Sequence, residues 1–186
     1  DDGADIAVIA PPSFFMNATA DTLKRNYLEA IDQSPLPVGI YDRGSFGAVT
    51  VPLETLEEVY RHSKVVLVKD SSTMGDHADV ALAARSSRPE LTLLNGDEFD
   101  CANYLERGYD GLLLGGGVFN GYIARLIFNA VRSGDMDAAR EWQSRMNDIM
   151  YAVYGGKDIS CWLSGEKYLL LRLGIFSTSR NFPRYP

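Results

Sequence analysis

Short apolar runs alternate with segments of helical periodicity five times along the first two thirds of the chain. The runs at residues 4–10, 37–41, 65–69, 91–94 and 111–114 predict strands, and residues 19–31, 52–60, 77–85 and 99–106 predict helices. Residues 118–132, 136–154 and 165–173 then predict helices with no strand between them. Strands that alternate with helices are typical of α/β proteins with a parallel sheet. We therefore expect an α/β fold that ends in a helical segment, with Thr19 as the N-cap of the first helix.

The charge and the apolar pattern exclude some partners. The formal net charge is -7 and the basic residues are scattered, whereas nucleic-acid binding normally needs a basic stripe. No apolar run is long enough to span a bilayer. Cys101 and Cys161 lie far apart in apolar surroundings, which indicates reduced cysteines. We expect a cytoplasmic protein with neither a nucleic acid nor a membrane as its partner.

Reactive side chains follow the predicted strands where each strand ends. In parallel βα arrays, functional residues gather at the C-terminal ends of the strands. Tyr41, Lys69 and the pair Asp97 and Glu98 should therefore converge on one rim. Residues 65–68 predict a strand buried on both faces, and burial favours the neutral amine of a lysine, which forms Schiff bases with carbonyl compounds.

Each of these residues also has a purely structural interpretation. Lys69 could pair with Asp70, Tyr41 could be a core aromatic residue, and Asp97 and Glu98 could place negative charge at a helix N-terminus. His62 at the end of one predicted helix and His77 at the start of another occupy solvent or capping positions, so no metal site is predicted. Core or oligomer interface is predicted for a stripe at helical spacing, which consists of Trp142, Met146, Met150 and Tyr154.

The glycine run at residues 115–117 lies between a predicted strand and a predicted helix. It fits a phosphate or carboxylate cradle at a helix N-terminus, and a tight turn explains it equally well. The dinucleotide fingerprint would need a further glycine where the sequence has Asn120.

The segments around Tyr41, Lys69 and Asp97 together resemble the dihydrodipicolinate synthase/N-acetylneuraminate lyase family of pyruvate-dependent class I aldolases. Residues 38–42, Val-Gly-Ile-Tyr-Asp, resemble that family's fifth barrel strand with its catalytic tyrosine. Residues 66–70, Val-Leu-Val-Lys-Asp, resemble the sixth strand with its Schiff-base lysine, 28 residues after the tyrosine. Further similarity lies at residues 95–98 for the seventh strand's end, 111–117 for the eighth strand and 167–175 for the C-terminal extension.

The resemblance implies a (β/α)8 TIM barrel, of which this chain supplies about five βα units and a helical C-terminal extension. Residues 1–117 would hold strands four to eight, and residues 118–186 the last barrel helix and the extension, within a single domain. The family's carboxylate-gripping segment on strand two has no counterpart. Five strands cannot close an eight-stranded barrel, so we expect the chain to belong to a longer one or a second segment to complete the barrel.

The resemblance also implies a mechanism. Lys69 would form an imine with pyruvate or another 2-oxo acid, Tyr41 would shuttle a proton, and no metal or organic cofactor would be needed. It implies a homo-oligomer, dimer or tetramer. The residues expected to bind substrate are Ser71, Gly96, Asp97, Glu98, Gly115 and Gly116.

Two positions bear on the substrate. Phe14 and Phe15 stand where the synthase branch has an aromatic pair with a relay hydroxyl, and Phe46 stands where that branch has an arginine, with Arg43 nearby. These differences favour a lyase or aldolase that acts on a 2-keto-3-deoxy sugar acid or a related 2-oxo acid. The alternatives are dihydrodipicolinate synthase-type condensation, a non-catalytic 2-oxo-acid-binding homologue, and a flavodoxin-like sheet that binds a nucleotide or phosphate at residues 115–117.

Overall fold

The structure of the chain is a computed structural model that describes residues 3–13 and 18–181. Phe14 and Phe15 lie outside these ranges. The chain divides into two compact units. The first, the sheet unit, runs to Asp97 and includes residues 107–113; the second, the helical unit, holds residues 98–106 and the chain from Leu114 onward. The single domain and the boundary at residue 117 stay predictions.

The sheet unit is built on five parallel strands that pair in chain order, β1-β2-β3-β4-β5. The strands are β1 (Ala7–Ile9), β2 (Val38–Asp42), β3 (Val65–Asp70), β4 (Thr92–Asn95) and β5 (Gly111–Leu112). The α/β class and the parallel sheet are confirmed. Strictly sequential pairing is typical of a barrel wall, whereas a flavodoxin-like sheet changes direction at a switch point and would have another strand order.

Three helices of the sheet unit follow from local sequence signals. They are α1 (Ala20–Gln33), α2 (Leu53–Arg61) and α3 (Gly75–Ser87). The Thr19 side chain accepts a hydrogen bond from the Thr22 backbone N–H at 3.2 Å, which confirms the predicted N-cap. Periodic apolar residues of α1 and α2, such as Ile31 and Val59, are fully buried.

Strand β3 is less buried than its sequence predicts. Val65 and Val68 are buried, but Val66, Leu67 and Lys69 are only partly buried. The expectation of a strand buried on both faces was therefore wrong for the described part of the chain. The Lys69 side chain therefore keeps some contact with solvent.

The helical unit contains α4 (Cys101–Glu106), α5 (Gly117–Ser133), α6 (Met136–Tyr154) and α7 (Trp162–Arg172). Helix α6 has the bounds that its periodicity predicts. Its Met146, Met150 and Tyr154 are buried, which confirms the core interpretation of the stripe, while Trp142 is half-buried and Gln143 is buried in addition.

We expect Gly165→Ala to destabilise the helical unit. A Cβ at Gly165 would lie 1.8 Å from the Val153 carbonyl oxygen, so α7 would have to move away from the end of α6. The clash outweighs the gain in helix propensity, and the net loss should be about 2 kcal/mol in the free energy of unfolding, measured by urea denaturation. Gly121→Ala in α5 is the control, because nothing lies within 4 Å of its added Cβ. That variant should be as stable as the parent or slightly more so; equal effects of both substitutions would contradict the prediction.

Candidate active site

Tyr41 and Lys69 lie side by side at the C-terminal ends of neighbouring strands. They are register partners in the β2–β3 pair, so their side chains project from the same face of the sheet. The Lys69 Nζ lies 4.3 Å from the centroid of the Tyr41 ring. The structure thus brings together the two residues that the sequence singled out for chemistry.

Gly96 and Ser71 join this pair. A Cβ at Gly96 would lie 1.9 Å from the Ser71 Oγ and 2.9 Å from the Lys69 Cε. The Gly96 backbone N–H donates to the Asp70 carbonyl oxygen at 2.6 Å, which fixes this approach. Only a residue without a side chain leaves space beside the lysine at this point. We define Tyr41, Lys69, Ser71 and Gly96 as the lysine cluster.

Asp97 follows Gly96 in a turn that Asn95 organises. The Asn95 Oδ1 accepts from the Asp97 N–H at 2.8 Å, and the Asn95 Nδ2 donates to the Asp97 carbonyl oxygen at 2.7 Å. Asn95 is fully buried, so the turn is anchored to the end of β4. The structure places Asp97 one residue beyond the lysine cluster, and its role in binding substrate stays a prediction.

Glu98 is engaged within the helical unit. Its Oε2 accepts from the Gly116 N–H at 2.6 Å, and its Oε1 accepts from the Tyr154 hydroxyl at 2.7 Å. A Cβ at Gly116 would lie 2.5 Å from the Tyr154 hydroxyl oxygen, so glycine is needed there, while Gly115 lies against Trp162. The chain's own carboxylate thus occupies the N-terminus of α5, where the glycine run suggested a cradle for an external anion.

A second carboxylate, that of Glu166, lies beside the Tyr154 hydroxyl. The Tyr154 hydroxyl lies 3.2 Å from the Glu166 Oε1. Burial, together with the charge of Glu98, raises the pKa of Glu166, and burial likewise raises the pKa of Tyr154, which keeps the phenol protonated as a donor. Substrate binding by Glu98, Gly115 and Gly116 stays a prediction.

His77 is the functional candidate that the sequence placed wrongly. It is 2% exposed, and its Nδ1 lies 2.7 Å from the Asp42 Oδ2. It is therefore a buried partner of Asp42 and not a solvent or capping residue. The sequence did contain a sign of this pairing. Asp42 follows Tyr41 on the strand, and because side chains alternate along a strand, its carboxylate points toward the helices and needs a buried partner there. His62 does follow the end of α2, as predicted.

Asp70 shows the same arrangement on β3. It is 1% exposed and accepts from the Ser72 N–H at 2.9 Å and from the Tyr109 hydroxyl at 2.6 Å. Strand alternation places Asp70 and Lys69 on opposite faces of the sheet. The alternative in which Asp70 serves as the partner of Lys69 is therefore not supported.

We expect the stability of the sheet unit to fall as pH rises through the pKa of His77. The hydrogen bond to Asp42, and then the charges of Asp42, Asp76 and Asp70, raise this pKa against the opposing effect of burial. The protonated imidazole thus contributes stability that is fully present below the unfolded pKa of about 6.5 and is lost above the raised folded pKa. Denaturation at several pH values from about 6 to 9 should show this loss in the parent and not in His77→Asn. Identical pH dependence of the two proteins would contradict it.

Residues 3–13 and 18–181 contain neither a candidate metal site nor a candidate membrane span. Among them there is no group of three or more His, Cys, Asp or Glu residues that could hold a metal ion. None of the helices in this part of the chain is both long and apolar enough to cross a membrane.

Comparison with known proteins identifies the family. The model of the dihydrodipicolinate synthetase family matches residues 1–176. The 4-hydroxy-tetrahydrodipicolinate synthase of Thermodesulfovibrio yellowstonii is 26% identical over 153 residues, which are 82% of this chain and 51% of that protein. The corresponding synthase of Xylella fastidiosa is 26% identical over 94% of this chain and 56% of its own length. The chain thus spans about half the length of the curated relatives it matches.

A solved structure of a family member has the same fold as this chain. Dihydrodipicolinate synthase from Bacteroides thetaiotaomicron superimposes with a TM-score of 0.82 at 27% identity, over 98% of this chain and 61% of its own. The five sequential βα units and the C-terminal helices of this chain therefore correspond to part of a TIM barrel of that type and the helices that follow it. The chain belongs to the dihydrodipicolinate synthetase family.

Proposed function

We propose that the protein is a Schiff-base-forming lyase or aldolase that acts on a 2-oxo acid such as pyruvate. The observation that carries this proposal is the 4.3 Å approach of the Lys69 Nζ to the Tyr41 ring on one face of two neighbouring strands. A lysine beside a phenol, at the C-terminal end of a barrel strand, is suited to carbonyl chemistry. Membership of the family supports the same reaction class.

In the proposed reaction the neutral Lys69 amine attacks the ketone carbon of the 2-oxo acid. A C–N bond forms, the ketone oxygen leaves as water, and a protonated imine results. This imine accepts the electron pair when a bond at the adjacent carbon breaks, and it gives an enamine. Addition of the enamine to an aldehyde is the reverse step. The imine itself is the electron sink, so the reaction needs neither a metal nor an organic cofactor.

Tyr41 would carry the proton in this reaction. Its hydroxyl would donate a proton to the aldol oxygen in condensation, which leaves a phenolate, and in cleavage the phenolate oxygen would take that proton back. Ser71 and the Gly96 backbone, which lie against the Lys69 side chain, would shape the space for the substrate. Asp97 would bind a substrate hydroxyl from the turn beyond β4.

The preferred substrate is a 2-keto-3-deoxy sugar acid. The presence of Phe46 where the synthase branch has an arginine supports this choice. One observation favours the synthase-type condensation instead: the Arg43 Cζ lies 6.0 Å from the Tyr41 ring centroid, where a guanidinium could bind the carboxylate of an aldehyde. The relatives described above are synthases as well. Replacing Arg43 with methionine should weaken condensation with a carboxylate-bearing aldehyde and leave sugar-acid cleavage unchanged, as measured by steady-state kinetics of each reaction.

Borohydride reduction in the presence of pyruvate tests the proposal. The reduced adduct should appear on Lys69, where it blocks tryptic cleavage and yields a peptide of residues 65–85. It should be absent from Lys69→Ala. If the unmodified protein gives no adduct, the proposed mechanism is wrong.

Tyr41→Phe separates the enzyme from a non-catalytic 2-oxo-acid-binding homologue. In an enzyme this variant should still form the adduct but should turn over about 10²- to 10⁴-fold more slowly, because the proton carrier is lost. In a binding protein it would bind the 2-oxo acid without functional loss. We also propose a homo-oligomer, dimer or tetramer, which native mass spectrometry can measure.

A further inference from the structure

A network of buried hydrogen bonds lies on the opposite face of the sheet from the lysine cluster. Tyr41 pairs in register with Lys69, and the next residues of the two strands, Asp42 and Asp70, also pair in register. Since side chains alternate along a strand, the two carboxylates project away from Tyr41 and Lys69. They are 2% and 1% exposed.

The Asp42 carboxylate receives three hydrogen bonds. Its Oδ1 accepts from the Gly44 N–H at 2.9 Å, and its Oδ2 accepts from the Tyr60 hydroxyl at 3.0 Å and from the His77 Nδ1 at 2.7 Å. We assign the proton of this bond to the His77 Nδ1, which lies within hydrogen-bond distance of an acceptor oxygen. Tyr60 belongs to α2 and His77 to α3, and Asp42 therefore attaches the end of β2 to two helices at once.

The backbone at this point leaves little room for movement. Gly44 has a φ of +46°, and a Cβ there would lie 2.6 Å from the Ser72 Cβ. The Ser71 N–H donates to the Asp42 carbonyl oxygen at 2.9 Å. A shift of Asp42 would consequently reach both strand ends, the one that carries Tyr41 and the one that carries Lys69.

We propose that His77 is a positioning residue for the lysine cluster. Through Asp42 it holds the end of β2, and with it the Tyr41 side chain, in the orientation that proton transfer beside Lys69 requires. This inference rests on the proposed function. His77 touches no substrate; it acts through Asp42 on Tyr41.

His77→Leu and His77→Asn are the matched test variants. The two replacements have nearly the same shape, but the asparagine amide nitrogen can take the place of Nδ1 as donor to Asp42, and leucine has no donor. We expect the leucine variant to lower kcat about 10- to 100-fold with little change in the KM for the 2-oxo acid, because a small misplacement of a catalytic group costs this much. The asparagine variant should recover most of the loss.

A double-mutant cycle with Tyr41→Phe shows whether His77 acts through Tyr41. In the phenylalanine background, His77→Leu should change kcat by less than about 3-fold, because the proton carrier is already absent. A role in folding alone would give the same factor in both backgrounds, and that result would overturn the inference. A lowered kcat that His77→Asn does not restore would overturn it as well.

Two measurements keep the outcome decisive. Borohydride trapping of pyruvate on the unmodified protein tests the proposed function by itself; an adduct there, with no coupling between His77 and Tyr41, refutes only the positioning role. If thermal unfolding shows that His77→Leu does not fold, His77→Met replaces it in the cycle, since methionine also lacks a donor for Asp42 and its flexible side chain adapts to the space of the imidazole. Additive effects of His77→Met and Tyr41→Phe would then overturn the inference.

Discussion

Lys69→Arg should lower kcat/KM for the 2-oxo acid substrate by more than about 10⁴-fold, and Lys69→Ala should lower it equally. The amine is the atom that bonds to the substrate, and a guanidinium keeps the charge but is not a nucleophile at neutral pH. Arginine can also preserve the stacking of a cation on the Tyr41 ring, where the Lys69 Nζ lies 4.3 Å from the centroid. The comparison therefore distinguishes covalent chemistry from a charge that merely attracts an anionic substrate.

Steady-state kinetics and borohydride trapping measure this prediction together. Both variants should lose the trapped adduct, while Lys24→Ala, which removes an exposed lysine paired with Glu58, should keep the adduct and the activity. Activity of Lys69→Arg within about 10-fold of the parent would show that Lys69 acts as a charge and would contradict the Schiff-base mechanism.

Gly96→Ala should lower kcat/KM by about 10²- to 10³-fold in a protein that remains folded. The added methyl group would lie 1.9 Å from the Ser71 Oγ and 2.9 Å from the Lys69 Cε, so the serine side chain must rotate and the lysine chain must move. The bond from the Gly96 N–H to the Asp70 carbonyl oxygen prevents the turn from retreating easily. A displaced amine can no longer approach the ketone carbon along the required direction.

Two variants make this prediction specific. Gly75→Ala is the control, because nothing lies within 4 Å of the Cβ it would add at the start of α3, and it should leave kcat/KM unchanged. Combining Gly96→Ala with Ser71→Gly removes the closest clash and should restore part of the activity. Full activity of Gly96→Ala alone would show that the substrate space does not depend on this contact.

Periodicity in the sequence was enough to predict most elements of the fold. Helix α6 has the bounds predicted from its apolar stripe, and Thr19 caps α1 as its residue type indicates. Strand lengths were predicted less well. A strand was predicted over residues 4–10, but only Ala7–Ile9 form one, and a strand predicted over residues 111–114 is limited to Gly111–Leu112. A strand extends only as far as its neighbour pairs with it, and the neighbour's register is not encoded locally.

The meeting of Tyr41 with Lys69 could also be predicted, because two polar residues that end successive buried parallel strands must share one edge of the sheet. The distant hydrogen-bond partners of the neighbouring carboxylates could not be predicted. Asp42 binds His77, 35 positions later, Asp70 binds Tyr109, 39 positions later, and Glu98 binds Tyr154, 56 positions later.

The sequence by itself thus determined the order of strands and helices, which follows from local periodicity, and the meeting of Tyr41 with Lys69, which follows from their places at the ends of successive parallel strands. Their roles in catalysis are a proposal that rests on the family resemblance. Only the tertiary structure decided that His77 is buried, that Asp70 binds Tyr109 and that Glu98 holds the start of α5. A buried polar group must find a hydrogen-bond partner, but which of several distant donors reaches it depends on how the helices pack.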